Sequence, residues 1–293
     1  MFYRSGVKNM IRTLFIALLL LLSTTLAHAC TLFGATGSAV QWGGTLMVKN
    51  RDWRPEYQEM RLVQGPVYRY YGLYGGNEEK MGLRGGVNEG GLAVFSAAAS
   101  VLPQKERFTM GKPTNVLSKL LGRCNTVQQA LDTVKIWGGP KFLLIGDATE
   151  LAYVEVGSEG RIKVRREKNT TLAHTNHYLS PEFLDLNKKK AVSSHTRYGR
   201  ITELLAQETQ SLTLDKVMEL ARDQHDGPDN SIWRTGSRED GPQTLATFGV
   251  WLHPNAKPDV SLVIRYSPED QGEEDVYQLD GEELWKVKAK SEE

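Results

Sequence analysis

The chain has 293 residues, 40% hydrophobic and 24% charged, and its 36 Lys and Arg against 35 Asp and Glu leave a formal net charge of +1. This is an ordinary globular composition, with length for one large domain or two small ones. The near-even balance excludes a strongly basic chain of the kind that binds nucleic acid or an anionic surface.

The first 29 residues stand apart from the rest. Arg4, Lys8 and Arg12 make a positive start, residues 14–22 (LFIALLLLL) an unbroken apolar run, and Ala27-His28-Ala29 a small-x-small cleavage site. That order is a secretory signal peptide. The apolar run falls short of the about 20 residues that span a bilayer. Cleavage after Ala29 divides the chain into a leader, 1–29, and a mature domain, 30–293, that is secreted or periplasmic and carries no membrane span. It also gives Cys30 a free α-amine. Lipoprotein maturation ends on a Cys too, but Ala27, His28 and Ala29 fit its pattern poorly. An uncleaved N-terminal anchor is the other reading of the same run. The mature chain holds two cysteines, Cys30 and Cys124. An oxidising compartment permits a disulfide between them, and a buried free thiol at Cys124 is the alternative.

From Cys30 onward, short apolar segments with glycine punctuation predict strands at 31–35, 45–50, 60–63, 67–71 and 92–97. Two helices follow, at 114–121 and 126–137, the second placing Val127, Ala130, Leu131 and Val134 on one face. Strands return at 141–145, 151–156, 161–165 and 171–174. A second helix pair covers 195–207 and 214–223, and strands close the chain at 243–251, 260–266 and 276–279. Strands, helix pair, strands, helix pair, strands permits two stacked antiparallel sheets with helices outside, an α+β four-layer sandwich. The loop 226–242 is long enough to form a functional lip.

A cysteine at a mature N-terminus carries its own base. The unperturbed α-amine titrates at about 7.7–8.0, so part of it is neutral near pH 7 and can accept the thiol proton. Positive charge nearby favours the thiolate, a carboxylate must orient the amine, and donors must meet the oxyanion. The segment Lys49-Asn50-Arg51-Asp52-Trp53 holds such groups. Lys49 and Arg51 face one side of a strand and Asn50 and Asp52 the other, and a bulge would bring Lys49 and Asp52 together toward Cys30. By spacing alone the segment reads as a solvated, charged strand end.

Five short pieces occur in order: Cys30-Thr31-Leu32-Phe33; Asn50-Arg51-Asp52-Trp53; Gly86-Val87-Asn88-Glu89-Gly90-Gly91-Leu92; His174-Thr175-Asn176-His177; and Ser194 through Arg197. Together they resemble the choloylglycine hydrolase and penicillin V acylase family, and more closely its relatives that resemble acyl-coenzyme A:6-aminopenicillanate acyltransferase. The resemblance implies the αββα sandwich of the N-terminal-nucleophile (Ntn) hydrolases. It implies Cys30 as nucleophile, Asp52 as the holder of its amine and Asn176 as an oxyanion donor through its side-chain amide. Arg197 matches an arginine that supports the nucleophile. Lys49 stands where the bile-salt enzymes carry Arg, and Arg51 beside it is an alternative source of that charge. Ala98 stands about where those enzymes carry a second oxyanion Asn, which argues for a different branch.

The remaining motifs have plainer readings. Zinc would want three ligands of the His174-x-x-His177 type, but on a strand these two face opposite sides and no acidic base adjoins them. Asn88 through Gly91 reads as a tight turn. Trp53, Tyr70, Tyr71, Tyr74 and Phe95 suit an acyl pocket or the core equally. Thr244 to Thr247 reads as a buried strand whose hydroxyls can face the site. The expected reaction is cleavage of a linear, non-peptide amide through an acyl-thioester on Cys30, without metal or organic cofactor. The partner is a small acyl amide, with homo-oligomerisation left open. Acyl transfer to an amine or thiol is the alternative within enzymes, and a non-catalytic lipoprotein or ligand-binding module the alternative outside them.

Overall fold

The strand segments assemble into two antiparallel sheets in a computed structural model that describes residues 29–77, 79–109, 115–133, 138–267 and 271–286. The leader segment 1–28 and the predicted helix ends at 114 and 134–137 lie outside the described residues. In chain order the elements are β1 (Ala29–Thr36), β2 (Thr45–Trp53), β3 (Tyr57–Gln64), β4 (Arg69–Asn77), β5 (Lys80–Asn88), β6 (Ala93–Ala98), α1 (Gln104–Thr109), α2 (Val116–Arg123), α3 (Val127–Thr133), β7 (Lys141–Gly146), β8 (Leu151–Val156), β9 (Ile162–Glu167) and β10 (Thr171–His174). There follow α4 (Val192–Gln207), α5 (Leu214–Leu220), β11 (Gln243–Leu252), β12 (Asp259–Tyr266), β13 (Gln271–Leu279) and α6 (Gly281–Leu284). The first sheet has the order β10-β1-β2-β11-β12-β13, the second β3-β4-β5-β6-β7-β8-β9.

Period-two alternation sorts each strand's side chains between two cores. Leu32, Met47 and Phe248 from the first sheet meet Phe95, Phe142 and Leu144 from the second in the central core. Phe95 and Phe248 pack with ring centroids 5.3 Å apart across that boundary. The next residues along face outward. Phe33, Leu46 and Val48 pack under Ile201 and Leu205 of α4 and Val217 and Leu220 of α5. Val94, Leu143 and Ile145 pack under Leu120 and Leu121 of α2 and Val127 and Ala130 of α3. Each such fully buried side chain contributes about 1.5–3 kcal/mol. The result is the four-layer αββα sandwich that the element order permits. Among the described residues no helix is long and apolar enough to cross a membrane.

One strand of the second sheet, β5, is absent from the sequence reading. Its sequence KMGLRGGVN lacks the β-branched density that marks a strand. The glycines serve close approach: a Cβ at Gly86 would lie 2.4 Å from the carbonyl oxygen of Tyr71 on β4. The turn expected at Asn88 through Gly91 is present. Gly91 takes a φ of 91°, its N–H donates to Asn88 O at 3.1 Å, and Asn88 Nδ2 reaches the carbonyls of Leu121 and Cys124.

A buried polar pair ties the two sheets together. His174 Nε2 lies 3.0 Å from Glu155 Oε1, and Glu155 also accepts the main-chain N–H groups of Leu179 at 2.6 Å and Ser180 at 3.1 Å. Burial alone would raise the Glu155 pKa, but the hydrogen bond and charge of His174, the Leu179 N–H and the Ser180 side chain carry it below the usual value. A carboxylate so depressed adds stability above its unfolded pKa of about 4.3 and loses it as pH falls through the lower folded value. Glu155→Ala should therefore cost about 3–5 kcal/mol at pH 7, with the deficit shrinking in acid, as measured by urea unfolding across pH.

Candidate active site

The two inner strands β1 and β2 run in unbroken register, with Ala29 opposite Asp52, Cys30 opposite Arg51, and Leu32 opposite Lys49. Cys30, Lys49 and Arg51 consequently share the face toward the second sheet, and Asp52 and Asn50 share the face toward α4 and α5. The bulge expected in this segment lies instead on the neighbouring strand, where β11 shifts register between Thr244 and Ala246. β2 is clamped on both sides and stays regular. Lys49 and Asp52 therefore approach Cys30 from opposite faces of the sheet rather than from one.

On the inner face, Lys49 Nζ stands 3.7 Å from Cys30 Sγ and also donates to the carbonyl of Ser96 on β6. Burial alone would raise the thiol pKa. The charges of Lys49 and then Arg51, with an N–H from Asp52, outweigh it and bring the thiol below its ordinary value. Burial also draws down the Lys49 ammonium, against the pull of Cys30. Arg51 donates to the Asp52 carbonyl and pairs with Glu56 at 2.6 Å. It thus supplies a second charge to the thiol without touching it.

On the outer face, Asp52 is fully buried. Its Oδ1 accepts from Thr244 Oγ1 at 2.9 Å, and its Oδ2 has no partner among the described residues. Burial raises its pKa, and the nearby positive charges of Arg197 and Arg234 with the Thr244 hydroxyl recover only part of the shift. Asn50 has a separate task. Its Nδ2 donates to the carbonyls of Ala221 and Ile232 and its Oδ1 accepts from Thr247, which pins the 226–242 loop and the end of α5 to the sheet. Ile232, Trp233 and Arg234 of that loop are buried, and the loop supplies none of the residues lining the cleft at Cys30. It is a strap behind Asp52, anchored by Asn50 and Thr244, and not a lip over the thiol.

Asn176 follows β10, and α4 carries Arg197. Asn176 Oδ1 accepts the main-chain N–H of Cys30 at 2.7 Å and a guanidinium N–H of Arg197 at 3.0 Å. Its Nδ2 donates to the carbonyl of Ala98 at 2.9 Å. An oxyanion can claim that donor only by replacing the Ala98 carbonyl. Arg197, buried and drawn down to about 10 chiefly by desolvation, also donates to Cys30 O at 2.7 Å and Thr31 Oγ1 at 2.8 Å. It fixes the backbone on which the thiol stands. Ser194 Oγ accepts the Asn176 N–H at 2.8 Å, so one turn of α4 positions both groups.

The two histidines of His174-x-x-His177 do not converge. His174 faces Glu155, whereas His177 Nδ1 lies 2.8 Å from Ser194 Oγ. Burial and the neighbouring His195 bring the His177 pKa down to about 3, so it is neutral at working pH. Among the described residues no group of three or more His, Cys, Asp and Glu is arranged to hold a metal. Both cysteines are free. Cys30 lies in the central core and Cys124 in the outer core beneath α2 and α3. Of the aromatic candidates only Trp53 lines the cleft at Cys30; Phe95 belongs to the central core and Tyr70 to an outer one.

Three participants escaped the sequence reading. Arg84 lies on the unanticipated β5, Arg234 in the loop, and Ser96 acts through its carbonyl, which no side-chain motif marks. Thr244 had a signal in its buried strand.

An αββα sandwich with a cysteine on an inner strand, its nitrogen and its sulfur each held by a polar group, has the architecture of the Ntn hydrolases. Solved structures share it. Two variants of the conjugated bile acid hydrolase from Clostridium perfringens align with TM-scores of 0.56 at 12% identity, covering 86% and 85% of this chain and 97% of theirs. The Caenorhabditis elegans ortholog of N-acylethanolamine-hydrolyzing acid amidase aligns with a TM-score of 0.56 at 13% identity, over 77% of this chain and 94% of that one. No curated protein sequence matches the chain. The family model for acyl-coenzyme A:6-aminopenicillanic acid acyl-transferase matches residues 40–258, and the chain belongs to that family. It is an enzyme of amide-bond chemistry.

Proposed function

We propose that the chain is a secreted or periplasmic amidohydrolase that becomes active when cleavage after Ala29 turns the Cys30 nitrogen into an α-amine. The observation that carries this reading is the pairing of Ala29 with Asp52. Both are buried, and Asp52 Oδ2 lacks a donor among the described residues. Departure of Ala29 vacates the position across from Asp52 and leaves a new amine there, whose protons suit that oxygen. An ammonium beside Asp52 would supply the counter-charge that its buried carboxyl lacks and lower its pKa.

The steps follow from the groups in place. The Cys30 amine takes the thiol proton, and Lys49 and Arg51 favour the resulting thiolate. The sulfur attacks the amide carbon, and Asn176 Nδ2 exchanges its bond to Ala98 O for one to the oxyanion. The C–N bond breaks, the leaving nitrogen takes the proton from the Cys30 amine, and a thioester remains. Water then adds to the thioester carbonyl and gives a proton to the amine, and the C–S bond breaks, which releases the acid and leaves the Cys30 thiolate beside its ammonium for the next cycle. Arg197 acts through Cys30 and Asn176 as a positioning residue. The family's description as acyl-transferases supports a second reading, in which an amine or thiol replaces water in the last step.

Intact-mass analysis of the secreted protein tests the first requirement. The expected mass begins at Cys30 with an unmodified thiol, and one cysteine alkylates rapidly. A diacylglyceryl mass or a Cys30–Cys124 disulfide would refute the mechanism. A panel of phenoxyacetyl, fatty-acyl, bile-salt and β-alanyl amides, run with and without an added amine, should give free acid as product. A conjugate that grows with amine concentration would establish transfer.

A further inference from the structure

A second cavity, of about 490 Å³, opens at the end of the sandwich opposite Cys30. Strand register places it there. Cys30 begins β1, whose far end, Thr36, pairs with Thr45, and Thr45 pairs in turn with Leu252, just before the β11–β12 loop. In the second sheet Ala98 stands at the Asn176 end, and Ala93 with its partner Gly146 at the other. Along β1 the two ends are about 20 Å apart, at about 3.3 Å per residue. The turns after β5 and β7, the residues before α3 and the β11–β12 loop form the walls. Their charged groups are spent inside the protein. Glu89 is held by the Arg69 guanidinium at 2.8 Å. Asp147 takes the Thr149 N–H and hydroxyl on Oδ1 and the Val127 N–H on Oδ2. Asp259 Oδ2 lies 2.9 Å from His253 Nε2, and Lys257 Nζ donates to the Glu89 carbonyl at 2.8 Å. The groups left for a ligand are neutral. Asn125 Oδ1 is buried with no partner among the described residues. Thr126 Oγ1 accepts the Gln129 N–H and keeps its own proton to give. Asn255 offers its amide from an exposed position on the loop.

An aromatic stack leads out of this cavity to solvent. Trp42 is 63% exposed, yet one side of its ring is mounted. Its centroid lies 5.4 Å from that of Trp251, which lies 3.7 Å from that of His253 in the cavity wall. Trp251 Nε1 donates to Gly43 O at 3.1 Å, which ties the Trp42 loop to the stack. That loop comes close to the wall, since a Cβ on Gly44 would lie 2.3 Å from the Leu252 carbonyl oxygen. A cavity of this volume is small-molecule size. An indole held in water beside amides and a hydroxyl suits a ligand with an apolar face and a hydroxyl rim. A pyranose ring has both: its C–H bonds can lie against the negative face of the indole, and its hydroxyls exchange hydrogen bonds with amides and hydroxyls. The geometry points to a binding site for a neutral oligosaccharide, with one ring stacked on Trp42 and its neighbour hydrogen-bonded by Asn125, Thr126 and Asn255. The site is separate from the reaction at Cys30, and a glycan held there leaves the cleft at the thiol open.

Calorimetric titration of the mature protein with cellohexaose, chitohexaose and maltohexaose, which differ in linkage and substituent, tests this. At least one should bind with a Kd of about 1 mM or tighter and change the tryptophan fluorescence. Its affinity should hold between about 0.05 and 0.5 M salt, because no ion pair forms. Trp42→Ala should weaken binding by about tenfold or more, as truncation of an aromatic anchor does, and Asn125→Ala severalfold. Both variants should keep the wild-type rate of Cys30 alkylation by iodoacetamide. If none of the three sugars binds at about 10 mM, or if both variants bind as the wild type does, the site is overturned. It is also overturned if phosphatidylcholine vesicles bind the wild type and not Trp42→Ala while the sugars are ignored, since Trp42 then faces a membrane. If Asn125→Ala does not fold, Trp42→Ala, at an exposed position, decides. No outcome depends on amide cleavage, so the amidase reading can fail with this site intact, and the reverse.

Discussion

Cys30→Ala should lower kcat/KM for any confirmed amide substrate by about 10⁴-fold or more, the scale on which loss of a covalent nucleophile is felt. The fold should survive, because Ala replaces a small side chain in the central core and the lost sulfur costs about 1 kcal/mol or less of packing. Cys30→Ser should fall between the two enzymes in rate, since Lys49 and Arg51 cannot ionise a hydroxyl as they do a thiol. The same pair sets the pH dependence. Because their charges hold the Cys30 thiol below its usual value against the effect of burial, Lys49→Gln should move the midpoint of iodoacetamide reactivity to higher pH. Lys49 lies 3.7 Å from the sulfur and Arg51 spends its strongest bond on Glu56, so the shift from Lys49→Gln should exceed that from Arg51→Gln. Stopped-flow alkylation across pH with both variants measures it. A wild-type rate of amide cleavage by Cys30→Ala would end the proposed mechanism.

The sheets were legible in the sequence wherever short apolar runs stand between turn residues, as in β1, β8, β10 and β11. They were illegible where packing overrides that pattern. In β5, glycines take the place of side chains because β4 and β5 approach too closely for a Cβ at Gly86. No local rule distinguishes that run from a loop. Four of the five site residues chosen from the sequence lie around the fifth, Cys30, although Asn176 is 146 positions from it in the chain. Their order along the chain carried that information, which spacing alone did not. The surroundings were harder to foresee. Ser96 and Ala98 act through carbonyl groups, and Arg84 and Arg234 reach the site from segments with no strand or helix signal. The direction of approach was also misread. A bulge in β2 would have put Lys49 and Asp52 together, but pairing to β1 and β11 on both sides keeps β2 regular. The separation is chemically useful. Lys49 and Arg51 stand on one face of the sheet and the Asp52 carboxyl on the other, so they do not neutralise one another by direct pairing.

That separation makes Asp52→Asn the variant with opposite effects before and after cleavage. In the mature enzyme it should reduce kcat/KM by about 10²-fold or more, the range contributed by a positioned acid–base group, because an amide cannot supply the charge that holds and tunes the α-amine. In the uncleaved chain Asp52 has the reverse influence. Burial raises its pKa above the unfolded value despite Arg197, Arg234 and Thr244. The stability associated with a raised carboxyl is fully present below its unfolded pKa of about 3.9 and is lost as pH rises through the folded value. At neutral pH the buried carboxyl is therefore a net liability to the precursor, and Asn, which resembles the protonated acid, removes it. Uncleavable precursor bearing Asp52→Asn should melt at a higher temperature than uncleavable precursor with Asp52 at pH 7, and the gap should close on acidification. On the proposed maturation an ammonium at Cys30 would supply the missing counter-charge to Asp52, so the stabilisation by Asn should shrink or reverse. Calorimetry of the four proteins across pH reads this directly. Equal effects of the substitution in precursor and mature forms would show that Asp52 does not meet the new amine, and would leave Asn176, which already holds the Cys30 nitrogen at 2.7 Å, as its only partner.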